Sequence, residues 1–276
     1  MASDLPTPVA VDPPRSIPLS EKIRVLCLHG YGTNKEVMFD QTRGIREVLG
    51  SSAEFVFVNG PYQAKGPSEP IIAKMYGSST PFYEWYDTQM ADGRPFSWSY
   101  VELMAGQDPP DTADNWILCY KNIEQSMATL DAEIRRCGPF DVIIGFSQGA
   151  ILLSVMTMWY LHHGIAPCWK LAVCVSGLKP RGINIRSLFE DKHGQQMPIP
   201  LPSIHVIGKA DPIYLESCRL AESWTNEADG FKKWVFEHDG GHKFPSVSQN
   251  REFYVKLGSI ITQHCRNETG PAVPRL

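Results

Sequence analysis

One serine of the chain lies between two glycines, in the motif Gly-Phe-Ser-Gln-Gly of residues 145–149. An apolar run before the motif predicts a buried strand over 141–144, and an apolar helix is predicted over 150–161. A strand that turns sharply into a helix at Gly-x-Ser-x-Gly is a nucleophile elbow, which exposes the serine hydroxyl on a strained turn. The two glycines have no Cβ, so the strand end and the first helical turn can lie close together. Ser147 is therefore predicted to be a nucleophile; the alternative is a small polar residue in an ordinary strand-to-helix turn.

A serine nucleophile needs two partners, and the chain offers both further on. The hydroxyl is a weak nucleophile at neutral pH, so a histidine must accept its proton and an acid must orient that histidine. In one common fold the three follow the order Ser, Asp, His. Asp211 ends a β-rich run over 202–211, and His242 ends a second run, after two glycines. Both follow strand ends, where open α/β sheets bind their ligands. We predict that Asp211 is the acid and His242 the general base.

Each partner has competitors in the sequence. His238 lies four residues before His242, near the same predicted strand end. The glycine pair before His242 allows its loop to reach the nucleophile and favours that residue. Asp211 precedes Pro212, which can start a helix, so a simple capping role is its alternative. The other acids considered are Asp191, Asp229 and Asp239.

Strands and helices alternate along the chain, which predicts right-handed crossovers and a mainly parallel sheet. Beside the elbow strand, strands are predicted over 23–28, 54–58, 171–175, 203–207 and 234–237. Helices are predicted over 35–49, 117–134, 213–224 and 247–264 as well as after the elbow.

Residues 62–114 interrupt this alternation with many Pro, Gly, Ser and aromatic residues. A loop of this length inside a compact domain is unusual unless it has a function. We therefore predict a lid or pocket wall; the alternative is simple packing of a surface excursion. Its aromatic side chains are candidates to line an apolar acyl or aromatic pocket: Tyr76, Phe82, Tyr83, Trp85, Tyr86, Phe96, Trp98 and Tyr100.

Several motifs together resemble the fungal serine hydrolase family of the α/β hydrolases, whose relatives include thioesterase-like enzymes of fungal polyketide pathways. The matching segments are Leu-His-Gly-Tyr-Gly at 28–32, the elbow with its strand at 138–150, Val-Ser-Gly at 175–177, Gly-Lys-Ala-Asp-Pro at 208–212, and Asp-Gly-Gly-His-Lys-Phe-Pro at 239–245. The resemblance runs from about residue 23 to 262. One departure lies at 82–87, where relatives often have Arg-aromatic-Trp but no arginine precedes Trp85 here.

The resemblance implies an α/β-hydrolase fold: a mainly parallel central sheet, helices on both faces and a lid-like insertion. It also supports Ser147, Asp211 and His242 as the catalytic residues. The segment that holds Tyr83, Trp85 and Tyr86 is expected to contribute to the substrate pocket.

Attack on a carbonyl places negative charge on its oxygen, which two backbone N–H groups usually stabilise. One should be that of Gln148, directly after the nucleophile, with help from the N-terminus of its helix. The resemblance assigns the other to the residue after His29 and Gly30, which is Tyr31. The alternative for residues 29–32 is a tight strand-to-helix turn without a catalytic role.

Together these features predict a serine hydrolase that cleaves an ester or thioester through an acyl-serine intermediate, without a cofactor or metal. The resemblance implies release of an acyl or polyketide chain from the acyl carrier protein of a polyketide synthase. The alternatives are a carboxylesterase acting on a small lipophilic ester and a non-catalytic binding protein with the same fold.

Composition sets the remaining expectations. A chain of 276 residues can form one domain, predicted over 21–265, between a flexible Pro-rich leader (1–20) and a tail (266–276). A formal net charge of −4 and the lack of a dense Lys/Arg run argue against a nucleic-acid partner. The longest apolar stretch, 150–161, is too short to cross a bilayer. Seven scattered cysteines favour reduced thiols and a cytoplasmic location.

Overall fold

The apolar runs form a central parallel sheet in the computed structural model, which describes residues 5–9, 21–77, 81–93, 96, 117–226, 228 and 230–267. The strands are β1 (Ile23–Leu28), β2 (Ala53–Val58), β3 (Tyr62–Gln63), β4 (Tyr83–Glu84), β5 (Asp87–Met90), β6 (Leu118–Lys121), β7 (Val142–Phe146), β8 (Leu171–Val175), β9 (Ser203–Gly208) and β10 (Lys233–His238). Six of them pair in parallel in the order β10-β9-β8-β7-β1-β2. The predicted mainly parallel sheet is thereby confirmed.

Helices cover both faces of this sheet. They are α1 (Lys35–Gln41), α2 (Arg43–Leu49), α3 (Pro70–Tyr76), α4 (Ile123–Cys137), α5 (Gln148–His162), α6 (Tyr214–Glu222) and α7 (Arg251–Asn267). Side chains alternate between the faces with the two-residue period of a strand. Leu26 and Leu28 of β1 belong to the core that contains α4 and α5, whereas Val25 and Cys27 belong to the core that contains α2 and α7. Helix α5 is buried along almost its whole length, which explains its apolar sequence on all sides.

The strand order places two loops side by side. The chain moves from β1 outward to β2 and later returns to add β7 on the other side of β1. The carboxyl ends of β1 and β7 are therefore neighbours at a point where the order of strands reverses, the usual ligand site of an open α/β sheet. The loop after β1 holds His29 to Tyr31, and the turn after β7 holds Ser147.

Two helix predictions need correction. The helix predicted over 117–134 begins only at Ile123, because Leu118–Lys121 pairs in antiparallel fashion with Asp87–Met90. Asn122, with φ 66°, separates that strand from the helix. The helix predicted over 35–49 is two helices that meet at Thr42, whose backbone N–H still bonds to Met38 O.

Both chain ends also differ from expectation. Residues 5–9 of the predicted flexible leader are packed on the domain: Pro8 is buried, and Trp159 Nε1 donates to Pro6 O at 2.7 Å. Residues 5–9 are therefore anchored, because the Pro6 carbonyl accepts a hydrogen bond from a buried indole donor. Helix α7 continues to Asn267, past the predicted start of the tail at 266. The remaining residues of the leader and tail lie outside the described ranges.

The described part of the 62–114 insertion is folded rather than an extended loop. It contributes the antiparallel pair β3–β4, helix α3 and strand β5. Trp98 and Tyr100 lie outside the described residues. A lid or wall function for the insertion stays a prediction.

Within the described ranges, no helix has the length and apolar character that a membrane span requires. The same residues hold no group of three or more His, Cys, Asp or Glu side chains arranged to bind a metal ion.

Candidate active site

Ser147 occupies the turn between β7 and α5 in a backbone conformation that side chains rarely adopt. Its φ is 50° and its ψ is −115°, a strained combination for a residue with a Cβ. The turn is held in place because Ser147 N donates to Val175 O of the neighbouring strand at 2.9 Å. Strain of this kind is characteristic of functional turns, and it matches the elbow that the motif predicts.

The two glycines of the elbow are required by backbone contacts. A Cβ on Gly145 would lie 2.5 Å from Gly149 O and 2.6 Å from Ala150 N. A Cβ on Gly149 would lie 2.4 Å from Leu28 O, at the end of β1. Since backbone atoms cannot rotate away as side-chain atoms can, either Cβ would separate the strand from the helix.

Replacing Gly149 by alanine should therefore destabilise the protein and disturb the elbow. Overpacking of this kind costs about 1–3 kcal/mol. We expect the free energy of unfolding, measured by urea titration, to fall by that amount, with a parallel loss of hydrolytic activity. An unchanged unfolding midpoint with full activity would show that the close approach of Leu28 O is not a constraint.

A hydrogen-bonded chain joins Ser147, His242 and Asp211. His242 Nε2 lies 2.9 Å from Ser147 Oγ, and His242 Nδ1 lies 2.8 Å from Asp211 Oδ2. An ionised carboxylate can only accept, so we assign the ring proton to Nδ1, which leaves Nε2 to accept the serine proton. The Asp211 side chain is 1% exposed and that of His242 22%, so solvent reaches the histidine but not the acid.

Neighbouring strand ends hold the acid and the histidine in register. Asp211 follows β9, and His242 follows β10, which pairs with β9 in parallel. The two loops are joined directly, since Ala210 N donates to Gly240 O at 3.0 Å. Asp211 Oδ1 accepts from Ile213 N at 3.0 Å, so this carboxylate also caps the following turn, through the oxygen that His242 does not use.

The competing residues lie outside this chain of contacts. His238 is buried, and its Nδ1 accepts from Gly240 N at 3.1 Å. Asp239 is exposed and forms an ion pair with Lys209 at 2.6 Å, and Asp191 accepts from the backbone of its own turn. Asp229 lies outside the described residues. Among the described candidates, only Asp211 and His242 are connected to Ser147.

Two backbone amides are available beside the nucleophile. Neither Tyr31 N nor Gln148 N donates to another group within the part of the chain that the structure describes. Gln148 N is the first amide of α5, at the positive end of the helix dipole. The Gly30 backbone lies against the elbow: a Cβ on Gly30 would be only 3.3 Å from Ser147 Cβ. The two amides therefore have the properties required of oxyanion donors.

The buried side chain of His29 orients one of these amides. The sequence predicts only that His29 lies in the segment after β1, and it does not predict this role. His29 Nε2 accepts from Gly60 N at 2.9 Å, so the ring proton is on Nδ1, which donates to Gly30 O at 2.7 Å. Thr33 Oγ1 donates to the same carbonyl at 2.8 Å. In a trans peptide the C=O and N–H point in opposite directions, so fixing Gly30 O also fixes the direction of Tyr31 N–H.

Two of the three residues predicted to line the pocket are buried instead. Trp85 and Tyr86 have 0% exposure, and they belong to the core on the α4–α5 side of the sheet. They cannot touch a substrate in this conformation, which corrects the pocket assignment for both. The physical reason is the large apolar area of the two rings, which is stabilising when it is buried. Tyr83 is partly exposed, and a pocket role for it stays a proposal.

Burial also keeps two histidines neutral, which makes stability depend on pH. Burial lowers the pKa of His29 to about 4 and that of His205 to about 3. In the unfolded chain the pKa of both histidines should be about 6.5, the ordinary value. Between about pH 6.5 and pH 4 the unfolded state therefore binds more protons than the folded state. The folded protein loses stability as pH falls through this window.

We expect the free energy of unfolding to decrease by as much as about 1.4 kcal/mol per pH unit for each such histidine. Replacing His205 by glutamine, away from the elbow, should make this slope shallower. Urea unfolding across the acidic window measures both slopes. Identical slopes for the variant and the wild type would contradict the assignment of His205 as a buried neutral group.

Comparison with known proteins gives matches over most of the chain. The family model described as serine hydrolase (FSH1) matches residues 19–254. Esterase OVCA2 of Homo sapiens is 29% identical over 239 residues, which cover 85% of this chain and 95% of the human protein. Esterase CG5412 of Drosophila melanogaster is 26% identical over 244 residues, covering 87% of this chain and 74% of the fly protein.

Among solved structures, esterase PE8 aligns with a TM-score of 0.52 at 17% identity, over 94% of this chain and 98% of that chain. The likeness concerns the fold, and the fold is the α/β-hydrolase fold that the sequence predicts.

Proposed function

Since the chain belongs to the serine hydrolase (FSH1) family, we propose that it cleaves carboxylic esters through an acyl-serine intermediate on Ser147. The observation that carries this proposal is the hydrogen-bonded chain from Ser147 Oγ through the His242 ring to Asp211. The relatives are named esterases, which supports the same reaction class for this protein.

Acylation begins when His242 Nε2 accepts the Ser147 proton and the serine oxygen attacks the carbonyl carbon. Asp211, almost without solvent contact, stabilises the resulting imidazolium and holds Nδ1–H in place. The carbonyl oxygen becomes an oxyanion and accepts hydrogen bonds from Tyr31 N–H and Gln148 N–H. The imidazolium then donates its proton to the leaving alcohol, and the C–O bond to that alcohol breaks.

Deacylation repeats these steps with water as the nucleophile. His242 Nε2 accepts a proton from water, whose oxygen attacks the acyl-serine carbonyl at the same oxyanion site. The tetrahedral intermediate collapses, the proton returns to Ser147 Oγ, and the carboxylic acid is released. The partial exposure of the His242 ring gives water a route to the base.

For the substrate class, the names of the relatives favour an oxygen ester, and we propose a carboxylic ester as the substrate. The acyl or polyketide thioester on a carrier protein, expected from the sequence resemblance, is the second candidate. It uses the same steps with a thiol as leaving group.

The test is single-turnover release of a panel of acyl groups, each offered as a simple oxygen ester and as a carrier-bound thioester. We expect release from the oxygen ester that depends on Ser147. Fast release from the carrier-bound form alone would overturn the ester proposal in favour of chain release. No turnover of either form would favour a non-catalytic binding protein.

A further inference from the structure

The side chain of Gln148 spans two residues of the insertion that lies over the elbow. Its Oε1 accepts from Trp85 N at 2.9 Å, and its Nε2 donates to Tyr86 O at 2.8 Å. The residue is 6% exposed, so both hydrogen bonds form away from bulk water. One carboxamide therefore attaches the backbone of residues 85 and 86 to the first turn of α5.

Trp85 extends this connection to the loop after β1. Its indole Nε1 donates to His29 O at 2.9 Å. Its ring also stacks on the His29 ring, with centroids 5.2 Å apart and an angle of 28° between the planes. Trp85 thus contacts Gln148 through its backbone and His29 through its side chain.

His29 in turn holds the carbonyl of Gly30, and with it the direction of Tyr31 N–H. The contacts therefore form a continuous path from the Gln148 side chain through Trp85, His29 and Gly30 to the Tyr31 amide. At one end of the path is the residue whose own backbone N–H is the other proposed oxyanion donor.

We propose that Gln148 acts twice in the reaction: its backbone N–H is one oxyanion donor, and its side chain, through Trp85 and His29, positions the other. The inference rests on the serine hydrolase mechanism proposed above. It assigns Gln148 and Trp85 as positioning residues for Tyr31 N–H, which replaces the predicted pocket role of Trp85.

The physical need for such a device is preorganisation. An oxyanion donor is effective when it is fixed before the charge develops, because no energy is then spent on reorienting it during reaction. Tyr31 lies in a turn between β1 and α1, outside regular secondary structure. Gly32 N donates to Tyr83 O at 3.0 Å and Tyr83 N donates to Thr33 O at 2.7 Å, which holds the residues after Tyr31. The Tyr31 N–H belongs to the Gly30 peptide, and the path through Trp85 and His29 helps to fix the orientation of that peptide.

Replacing Gln148 by methionine separates the two roles. The variant keeps the backbone N–H and the length of the side chain but loses both hydrogen bonds to residues 85 and 86. We expect kcat to fall by roughly 10- to 100-fold, with KM nearly unchanged. This loss is smaller than the roughly 10²- to 10³-fold loss for complete removal of one donor, because Tyr31 N–H is misdirected but still present. The matched control is Gln263→Met on the exposed face of α7, which should leave the kinetics unchanged.

Replacing Trp85 by phenylalanine provides a second, independent variant. It removes the indole donor to His29 O and retains an aromatic ring. Because the two residues act along one path, the Gln148→Met/Trp85→Phe double variant should be little worse than Gln148→Met alone. Affinity for a trifluoromethyl ketone, which forms an oxyanion on Ser147, should fall in parallel with kcat/KM in each variant.

Three results would overturn the inference. Gln148→Met with wild-type kcat/KM and wild-type affinity for the ketone would show that the side chain does not position a donor. Losses that multiply in the double variant would show that Trp85 and Gln148 act separately. If Gln148→Met does not fold, wild-type kinetics for Trp85→Phe would contradict the path. By contrast, a wild-type protein without Ser147-dependent hydrolysis would remove the proposed function itself, and the inference with it.

Discussion

Replacing Ser147 by alanine is expected to lower kcat by a factor on the order of 10⁶. Alanine has no hydroxyl to attack the carbonyl, so the acyl-serine intermediate cannot form. Without a nucleophile, the oxyanion donors and substrate binding can contribute only a residual acceleration, on the order of 10³–10⁴ over the uncatalysed reaction.

The substitution should leave the fold intact, because within the described part of the chain Ser147 Oγ forms a hydrogen bond only with His242 Nε2. Steady-state hydrolysis of the preferred ester measures the effect, and thermal unfolding checks the fold. Ser259→Ala, on the exposed side of α7, is the matched control and should keep wild-type turnover. A Ser147→Ala protein with most of its activity would reject Ser147 as the nucleophile.

Replacing Asp211 by asparagine is expected to lower kcat by about 10⁴. Asp211 Oδ1 accepts from Ile213 N, and asparagine would keep this bond through its carbonyl oxygen. Its NH₂ group would then face His242 Nδ1 and donate to it, so the ring proton would move to Nε2. In that tautomer the ring cannot accept the Ser147 proton, although every residue stays in place.

A neighbouring acid provides the control for this experiment. Asp239 lies close by in the chain, but its side chain is 92% exposed and paired with Lys209. Asp239→Asn should therefore retain wild-type kcat. If Asp211→Asn kept its activity while Asp239→Asn lost it, the acid would be Asp239, and the assignment from the hydrogen-bond geometry would be wrong.

Position after a predicted strand, the order Ser-Asp-His, the glycine pair before His242 and the family motifs together select Ser147, Asp211 and His242 from the sequence. The strand before Ser147, β7, is buried at every position, and its unbroken apolar run predicts it well. The strand before His242, β10, lies at the edge of the sheet and is only partly buried, and its sequence mixes apolar and charged residues. The parallel sheet then brings its strand ends to one edge, which explains why residues up to 95 positions apart in the chain meet there.

The connections around the elbow were beyond the reach of local patterns. Gln148 contacts Trp85 over 63 positions and Trp85 contacts His29 over 56, and neither contact follows a helical or strand period. Aromatic residues in an insertion suit a pocket as well as a core, so the sequence predicts a pocket role for Trp85 and Tyr86. Only the tertiary structure, which buries both rings, decides between these two environments.

The anchoring of residues 5–9 also depends on a contact that local sequence patterns do not predict. The bond from Trp159 to Pro6 spans 153 positions, and a proline-rich sequence alone predicts a mobile segment.

The start of α4 differs from the prediction because Leu118–Lys121 fits a helical period but pairs as a strand with Asp87–Met90. In each case a long-range contact determined the local structure.

Trapping the acyl group on the protein shows whether Ser147 forms a covalent intermediate. The wild-type protein is mixed with an activated ester, quenched with acid within the first turnover, and digested for peptide mass spectrometry. We predict an added acyl mass on the peptide that contains Ser147, and fragmentation should place it on that serine. A protein that hydrolyses the ester but carries the acyl group on another residue, or on none, would show that Ser147 is not the nucleophile.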